Sequence, residues 1–359
     1  MQSKRFGSDK SGLEVRFDAQ RIAFSPVVFQ ATRILRKTGL LEKIEDCGTT
    51  GMTAAEAAAK VGISEYAATV LLECGLSADL FSYEQDRFVI TQLGAFIRRD
   101  EMTEINMDFI HEMCFLGLHS LEEALLSGKP AGLRVFGSWS TVYESLAHLP
   151  ESAKQAWLRF DHFYSDAAFP AASRIVFDKK PRNLVDIGCN TGKWALRCLA
   201  SSPDVHVALV DLPGQIEMAL ANIRAKNLDM RVTPHPTNVL DLQAEFPSGF
   251  DAVWMSQFLV CFSEEQVASI LARAARAVNP GGRIWVLDTF WDRQRFDAAA
   301  YCLINTSPYF TAIANGNSRM YRFEDIVAMA RGAGLELQNV HDNLGIYHSL
   351  VEFVPRTKA

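Results

Sequence analysis

The chain has 359 residues, of which 48% are apolar and 22% are charged, a composition ordinary for a globular protein of two domains. The net charge of -6 argues against nucleic acid or an anionic membrane surface as a partner. No run approaches the roughly 18 uninterrupted apolar residues of a membrane span, and the amino terminus lacks an apolar signal core, so a cytoplasmic protein is predicted. The 7 cysteines form no C-x-x-C pair, and we expect neither a disulfide framework nor a bound metal.

The first hundred residues predict a small helical domain. Residues 1–18 are polar and are expected to form an arm, and residues 19–100 show helical periodicity followed by a hairpin pattern. Thr53 and Ser64 are natural N-caps of two short helices, the first with a glutamate three residues later that completes a capping box. A hairpin is predicted over residues 81–91. Helices, helix-turn-helix and hairpin together indicate an all-α winged-helix domain in which the hairpin is the wing.

A winged helix raises the question of DNA binding. The second helix of the pair, residues 65–76, would enter the groove, and it carries Glu65 and Glu73 but no lysine or arginine. Groove recognition needs basic or amide side chains for phosphates and base edges. We therefore expect a module for packing or dimerisation and not a DNA-binding domain.

Residues 101–180 are predicted to form a helical linker whose helices border a substrate pocket. His111 and His119 are embedded in a strongly apolar helix, where a histidine is usually a core residue. The segment F-D-H-F-Y-S-D lies on a later helix, and Asp161 and Asp166 within it are interpreted as charges on the helix surface. Aromatic residues on that helix share one face, which is typical of a core as well as of a pocket.

From residue 181 to residue 359, strand and helix patterns alternate, which predicts a doubly wound, mostly parallel sheet with its ligand at the carboxyl edge. The segment N-L-V-D-I-G-C-N-T-G-K reads as a strand, a glycine turn and the start of a helix. The segment V-H-V-A-L-V-D is a second strand that ends in Asp211, and two closing strands are expected to be antiparallel. His341 and His348 lie near these closing strands and are expected to have no special role.

The ligand at this edge is indicated by two carboxylates and a glycine pair. Asp186 precedes Gly188 and Gly192, and a carboxylate there disfavours a bare phosphate. The loop fits neither G-x-G-x-x-G nor a P-loop. Asp211 follows roughly 20 residues later, the offset at which an acidic residue meets a ribose diol. Together with the P-G-G turn before the fifth strand, this order favours S-adenosylmethionine.

These segments resemble the two-domain small-molecule O-methyltransferases that include plant phenolic and bacterial polyketide enzymes. The similarity rests on L-V-D-I-G-C-N-T-G, L-V-D-L-P, F-D-A-V-W-M-S-Q-F-L and N-P-G-G-R-I-W-V-L-D, and it extends over about residues 20–355. The resemblance implies a Rossmann-like S-adenosylmethionine-dependent methyltransferase domain over residues 181–359, an N-terminal winged-helix dimerisation domain and a homodimer acting on a small molecule. The cofactor-binding residues it implies are Asp186, Gly188, Asn190, Gly192, Asp211, Leu212, Asn238, Val239, Ser256 and Gln257.

The chain departs from this family after the fourth strand. Where family members continue L-H-D-W, with the histidine as general base, this chain has Leu259, Val260, Cys261 and Phe262. Three interpretations follow. The first is a methyltransferase for a small, aromatic or phenolic acceptor, with a relocated base or with an already nucleophilic carboxylate, ring carbon or amine. The second is a protein that binds S-adenosylmethionine for other chemistry, and the third is a non-catalytic dimeric regulator. The absence matters because a positioned base typically contributes a factor of about 10² to 10⁴.

Replacement bases and pocket residues are taken from the helices before the glycine turn. The catalytic candidates are His162, Tyr164 and His111, with His119 as a further histidine of the same region. The side chains expected to line a pocket for a flat aromatic acceptor are Phe115, Trp157, Phe160, Phe163 and Tyr309.

Overall fold

The computed structural model describes residues 10–146 and 148–356. Contacts between Cα atoms divide the chain into two compact units, Met1–Asp108 and Phe109–Ala359. The helices that follow residue 109 lie in the same unit as the sheet. The predicted boundaries at residues 100 and 180 differ from this division, because long-range packing and not local composition sets it.

The first unit is helical apart from one hairpin. Its elements are α1 (Gly12–Lys37), α2 (Leu40–Asp46), α3 (Ala54–Val61), α4 (Glu65–Ser77), β1 (Phe81–Glu84), β2 (Arg87–Ile90), α5 (Gln92–Arg99) and α6 (Glu101–Phe109). The hairpin predicted over residues 81–91 is present as β1 and β2. The unit is therefore not all-α in the strict sense. The predicted caps are confirmed, because Thr53 and Ser64 accept backbone N–H groups at the starts of α3 and α4.

The first helix begins earlier than the sequence suggested. Ser11 caps α1, since its hydroxyl accepts the Glu14 N–H and the Glu14 carboxylate accepts the Ser11 N–H. Residues 12–18 of the predicted arm are therefore helical, because this capping box starts a helix within a polar segment. Residues 1–9 of the predicted arm lie outside the described residues.

The second unit contains a seven-stranded sheet. Its strands are β3 (Asn183–Ile187), β4 (His206–Asp211), β5 (Val232–Pro236), β6 (Phe250–Ser256), β7 (Val278–Asp288), β8 (Leu335–Leu344) and β9 (His348–Pro355). The order across the sheet is β5-β4-β3-β6-β7-β9-β8. Strands β3 to β7 are parallel, and β9 is antiparallel to both of its neighbours, so the predicted closing pair is confirmed.

Helices precede the sheet and connect its strands. They are α7 (Leu121–Ser127), α8 (Val142–Ser145), α9 (Glu151–Asp166), α10 (Phe169–Asp178), α11 (Lys193–Ser201), α12 (Pro213–Arg224), α13 (Glu264–Ala277), α14 (Asp297–Tyr309) and α15 (Phe323–Gly332). None of the helices in residues 10–146 and 148–356 has the length and apolarity needed to cross a membrane. Within these residues no group of three His, Cys, Asp or Glu side chains is arranged for a metal ion.

Alternate residues of the buried strands build two cores, one on each face of the sheet. Val185, Val253 and Val286 belong to one core, which also contains buried residues of the helices around residues 109–153 and 303–330. Trp254 and Leu287 belong to the other core. The strands β3 to β7 all end at one border of the sheet, here called the carboxyl edge. The two faces of the sheet, each covered by a different core, therefore meet at this edge.

Candidate functional site

The glycine turn after β3 is a tight loop fixed to the neighbouring strand. The Gly188 N–H donates to the Val210 carbonyl of β4 at 2.8 Å. Gly188 has φ +78°, and an added Cβ would lie 2.3 Å from the Phe258 ring. Gly192 also has φ +78° and caps α11, and Asn190 between them has φ +48°. Glycine is required at these positions because the backbone has positive φ and, at Gly188, there is no space for a Cβ. The two glycines keep the loop backbone close to the carboxyl edge.

Asp211 at the end of β4 holds this loop from the side. Its Oδ2 accepts the Asn190 backbone N–H at 2.8 Å, and its Oδ1 accepts the Leu212 N–H at 2.7 Å. Burial raises the pKa of this carboxyl from 3.8 to about 6, although both N–H groups lower it. Each oxygen keeps acceptor capacity beyond these bonds. The arrangement suits a pair of donor hydroxyls.

Asp186 lies deeper, beneath the loop. It is only 2% exposed, and its Oδ2 has no hydrogen-bond partner among the described residues. Burial and, next, the charge of Asp211 raise its pKa well above the ordinary value, while the Ala195 backbone N–H lowers it. Asp186 thus supports the first turn of α11 from below, and its assignment to the methionine end stays a prediction.

The loop is also tied to α9 and β6 through Asp161. The Asn190 side chain donates to Asp161 Oδ2 at 3.0 Å, and the Gln257 amide donates to Asp161 Oδ1 at 3.1 Å. The Gln257 Oε1 in turn accepts from His348 Nε2 at 2.9 Å. We call Asn190, Asp161, Gln257 and His348 the edge network. The interpretation of Asp161 as a surface charge is therefore wrong, because helix α9 turns that side chain toward the carboxyl edge.

Two residues of the edge network are under unusual constraint. Gln257 has φ +48°, a left-handed conformation that residues other than glycine rarely adopt. Such a conformation persists where the surrounding contacts hold the residue in place. His348 is fully buried, and burial lowers its pKa to about 3, so its imidazole is neutral. Its Nε2 carries the proton that Gln257 accepts. His348 therefore fixes the Gln257 side chain, a contact that the sequence does not indicate.

A buried arginine holds the loop after β5, which contains Asn238 and Val239, the residues predicted to lie beside the adenine. Arg273 of α13 donates to the carbonyl of Ala244 at 2.9 Å and to that of Val239, and it lies over the Phe246 ring at 4.7 Å. Asn238 Oδ1 accepts the Leu240 N–H at 3.0 Å, which closes a local turn. These bonds fix Asn238 and Val239 at the carboxyl edge beside Asp211.

An aromatic cluster lies on the face of the sheet that carries Val253 and Val286. Trp157 donates its indole N–H to the Tyr309 hydroxyl at 2.8 Å. Phe160 stacks on Phe109 with ring centroids 4.0 Å apart, and Phe109 meets Tyr309 edge-on at 4.9 Å. The structure therefore brings three of the predicted pocket residues, Trp157, Phe160 and Tyr309, into one cluster.

The other two predicted pocket residues lie beside the candidate bases. Phe163 packs edge-on against Tyr164, and Phe115 lies 6.5 Å from the His111 ring. Tyr164 is buried and also stacks on Tyr347. His111 belongs to a π-helical turn, Ile110–Cys114.

His162 lies against the glycine loop. Its Nε2 is 3.5 Å from Thr191 Oγ1, and its Nδ1 is 3.6 Å from Asp166 Oδ1. Asp166 also forms an ion pair with Lys193 at the start of α11. The candidate bases are therefore spread over distinct surroundings: His162 by the loop, Tyr164 among aromatic rings, and His111 beside Glu112. His119 is exposed.

Asp288, at the end of β7, is a candidate that the sequence interpretation missed. It is 1% exposed, its Oδ1 accepts the Thr289 N–H at 2.8 Å, and its Oδ2 is without a partner in the described chain. Burial raises its pKa to about 7. It follows Val286 by two residues and so faces the same side as the aromatic cluster. Its position at a strand end, like that of Asp211, was a signal that could have found it.

The segment after β6 packs against this region. Leu259–Cys261 form a short 3₁₀ turn, and Val260 is buried in the core that contains Tyr309. Burial is the largest influence that raises the pKa of the Cys261 thiol, and the charges of Asp288 and Asp161 raise it further. The thiol therefore stays protonated at neutral pH.

Comparisons with known proteins identify two domains in the chain. Residues 16–88 match the Dimerisation2-like domain, and residues 171–336 match the O-methyltransferase domain. L-tyrosine C(3)-methyltransferase of Streptomyces lavendulae is 23% identical over 304 residues, which is 84% of this chain and 81% of that protein. Aclacinomycin 10-hydroxylase RdmB of Streptomyces purpurascens is 28% identical over 178 residues, which is 48% of this chain and 45% of that protein.

Solved structures show the same two-domain fold. The apo crystal structure of the S-adenosylmethionine-dependent methyltransferase SibL superposes with a TM-score of 0.69 and 25% identity, over 94% of this chain and 98% of that chain. The fold and family indicated by the motifs are thereby confirmed. The chain belongs to the two-domain, S-adenosylmethionine-dependent small-molecule O-methyltransferase family.

Proposed function

We propose that the protein transfers the methyl group of S-adenosylmethionine to an oxygen or a ring carbon of a small aromatic acceptor, without the histidine base of its family. The observation that carries this proposal is the order of groups along the carboxyl edge. The glycine loop and Asp211 lie at β3 and β4, Asp288 with its unpartnered Oδ2 lies at the end of β7, and the buried aromatic cluster packs on the face of the sheet that carries Val286. A cofactor and a flat acceptor can thus meet over β3 and β6.

The residues present suit S-adenosylmethionine. Asp211 offers acceptor oxygens to the ribose diol, and Leu212, Asn238 and Val239 flank the adenine. Gly188 and Gly192 keep the loop backbone close to the methionine end, with Asp186 beneath it. The remaining residues proposed to contact the cofactor are Asn190, Ser256 and Gln257. When bound, the cofactor supplies an electrophilic methyl group for in-line attack.

The aromatic cluster supports a flat acceptor. Trp157, Phe160 and Tyr309 offer ring faces and edges, against which an aromatic acceptor stacks favourably. We assign Phe115 and Phe163 to the outer part of the same pocket. The Tyr309 hydroxyl already accepts the Trp157 N–H, so its own proton is available for a polar group of the acceptor.

Asp288 is the side chain best suited to receive a proton in this pocket. A phenol of pKa about 10 is only about 0.1% ionised at pH 7, which corresponds to about 4 kcal/mol. A carboxylate with a pKa of about 7 and a free oxygen matches the working pH of a general base. His162, Tyr164 and His111 stay as competing candidates. His162 is the weakest on geometry, since it is engaged with the outer side of the glycine loop.

A second candidate function is chemistry other than methyl transfer on the same bound cofactor. It is favoured by Val260 in place of the family histidine and by the similarity to a protein named as a hydroxylase. In this case the sulfonium would act as a fixed positive charge and its methyl group would stay in place. The aromatic cluster would still bind the acceptor.

We further propose a cytoplasmic homodimer formed through the first unit. Helix α1 exposes large apolar side chains, with Leu13, Ile22 and Phe24 at 78%, 75% and 60% exposure. Such a surface on a helix that buries only a few of its own residues fits an interface between two copies. The residues that match the Dimerisation2-like domain include Ile22 and Phe24.

The test is incubation of the full chain with S-adenosylmethionine labelled in its methyl group and a panel of phenols, phenolic acids and aminophenols. Labelled product supports methyl transfer, and mass spectrometry then locates the methyl group on oxygen or carbon. Cofactor-dependent turnover without label in the product supports the second function. Absence of calorimetric heat with both S-adenosylmethionine and S-adenosylhomocysteine would refute both.

A further inference from the structure

We infer that Asp161 is a cofactor-binding residue whose carboxylate is the counter-ion of the sulfonium, so that it distinguishes S-adenosylmethionine from S-adenosylhomocysteine. This inference rests on the proposed function and adds a role for a side chain outside the family segments described above. It is carried by the position of Asp161 along the carboxyl edge and by the bonds that fix its two oxygens.

The strand order locates the sulfonium. Asp211 marks the ribose at β4, and Asp288, on the face of the sheet that carries the aromatic cluster, marks the acceptor side at β7. The strands between them are β3 and β6. Because the sulfur is bonded to the ribose C5′ and its methyl group must face the acceptor, the positive charge lies over these two strands. Asp161 contacts Asn190, which follows β3, and Gln257, which follows β6, so its carboxylate lies at the same place.

The edge network holds the carboxylate in one orientation. Asn190 donates to one oxygen, and Gln257 donates to the other and to the Asp161 carbonyl at 3.3 Å. Gln257 is itself fixed by the neutral His348, and both donors have left-handed backbones. Strained residues that converge on one side chain are typical of a functional site. Neither donor carries a charge, so the network orients the carboxylate without neutralising it.

The charged neighbours leave this carboxylate available for a cation. His162 Nδ1 is 3.9 Å from Asp161 Oδ2, but the same nitrogen lies closer to Asp166. Lys193 is paired with Asp166 as well. Asp166 therefore engages the nearby cationic groups on the outer side of the loop. Asp161, five residues earlier in the same helix, faces the edge.

The substitution Asp161→Asn separates charge from shape. In the variant, the new amide can accept from Gln257 and donate to Asn190 Oδ1, which is buried and without a partner in the described part of the chain. Only a rotation of the Asn190 amide is needed, so the network persists without its charge. Asp166→Asn is the matched control, because it removes the same charge from the same helix.

The experiment is calorimetric titration of the full-length protein and its variants with S-adenosylmethionine and S-adenosylhomocysteine at one salt concentration. The two ligands differ by a methyl group and one positive charge. At an effective dielectric constant between water and a protein surface, one charge a few ångströms away corresponds to about a tenfold change in affinity. We expect Asp161→Asn to weaken the sulfonium ligand about tenfold and the thioether ligand at most about threefold.

Several outcomes separate the inference from the proposed function. Equal weakening of both ligands by Asp161→Asn overturns the counter-ion role and leaves the cofactor site intact. If Asp166→Asn changes the ratio of the two affinities as much as Asp161→Asn does, the counter-ion role is also overturned, because loss of any nearby negative charge would then explain the effect. If Asp161→Asn does not fold, Asp161→Glu keeps the charge and must retain the ligand preference of the parent within about threefold. A parent protein that binds neither ligand removes both claims.

Discussion

The substitution Asp288→Asn tests the proposed base through stability and rate together. The Asn side chain keeps the acceptor for the Thr289 N–H and replaces the oxygen that lacks a partner, so its shape is preserved. In the parent, the unfolded chain ionises at a pKa near 3.8 and the folded chain near 7. The difference corresponds to at most about 4 kcal/mol of folding free energy.

The sign follows from this raised pKa. At pH 4 the folded carboxyl is protonated and the unfolded one is only about half ionised, so the two proteins differ by less than about 1 kcal/mol. As the pH rises toward 7, the unfolded state ionises first, and the free energy of unfolding of the parent falls. Asp288→Asn cannot ionise, so its advantage over the parent grows to about 4 kcal/mol by pH 8. Denaturant unfolding at pH 4.5 and pH 8 measures this change.

The rate must move in the opposite direction. A general base acts in its ionised form, so the parent rate rises with pH through about 7, and Asp288→Asn loses about 10²- to 10⁴-fold together with this limb. Methyl transfer from labelled cofactor across pH 5.5–8.5 is the assay. A variant that is more stable at pH 8 but equally active would show that the carboxyl is buried for another reason.

Asp251 provides the control for the stability measurement. It lies near the start of β6, at the opposite end of the strand from the site, and accepts the backbone N–H groups of Arg182 and Asn183. Partial burial raises its pKa, but these bonds outweigh burial and lower it. Its stabilising effect is complete above pH 4, so the loss in Asp251→Asn should stay nearly constant between pH 4.5 and 8. A stability gain in Asp288→Asn that is likewise independent of pH would refute the buried-charge reasoning.

Three further predictions address cofactor, loop and assembly. Asp211→Ala should weaken S-adenosylmethionine binding at least about tenfold in calorimetry, because two hydrogen bonds to charged groups contribute about 1.5–3 kcal/mol each, and unchanged affinity would remove Asp211 from the site. Gly188→Ala should lower the thermal midpoint and abolish binding, since its Cβ meets Phe258 at 2.3 Å and φ is +78°. Ile22→Asp should convert the proposed homodimer to monomers in light scattering, and a dimer that persists would place the interface elsewhere.

Local signals explain why much of the fold was predictable. The caps at Thr53 and Ser64 depend on residues within one helical turn, and both were predicted correctly. The strands of the sheet were recognisable as short apolar runs between glycine or proline turns. The helix start at Ser11 was missed although it depends on the same kind of capping box, because the polar composition of residues 1–18 was given more weight.

Tertiary packing decides what the sequence interpretation missed. Asp161 follows Phe160 on a helix whose aromatic face was recognised, but the rotation of that helix relative to the sheet turns the carboxylate toward Asn190 and Gln257. His348 became the fixed partner of Gln257 only because β9 lies beside β7 in the sheet. No local pattern contains either relation. The strand order of the whole domain creates both.

The carboxyl groups at the edge share a property that explains the choice of ligand. Asp186 is the penultimate residue of its strand, and Asp211 and Asp288 are the last residues of theirs. Burial raises the pKa of all three. Ionisation of each therefore lowers the free energy of unfolding and destabilises the folded protein. A phosphate ligand would make ionisation of these buried carboxyls still less favourable, whereas a ligand with a sulfonium and an ammonium group favours it. The destabilising acids are thus consistent with a site built for a cationic cofactor, and Asp161 adds a further negative charge where the sulfonium is expected.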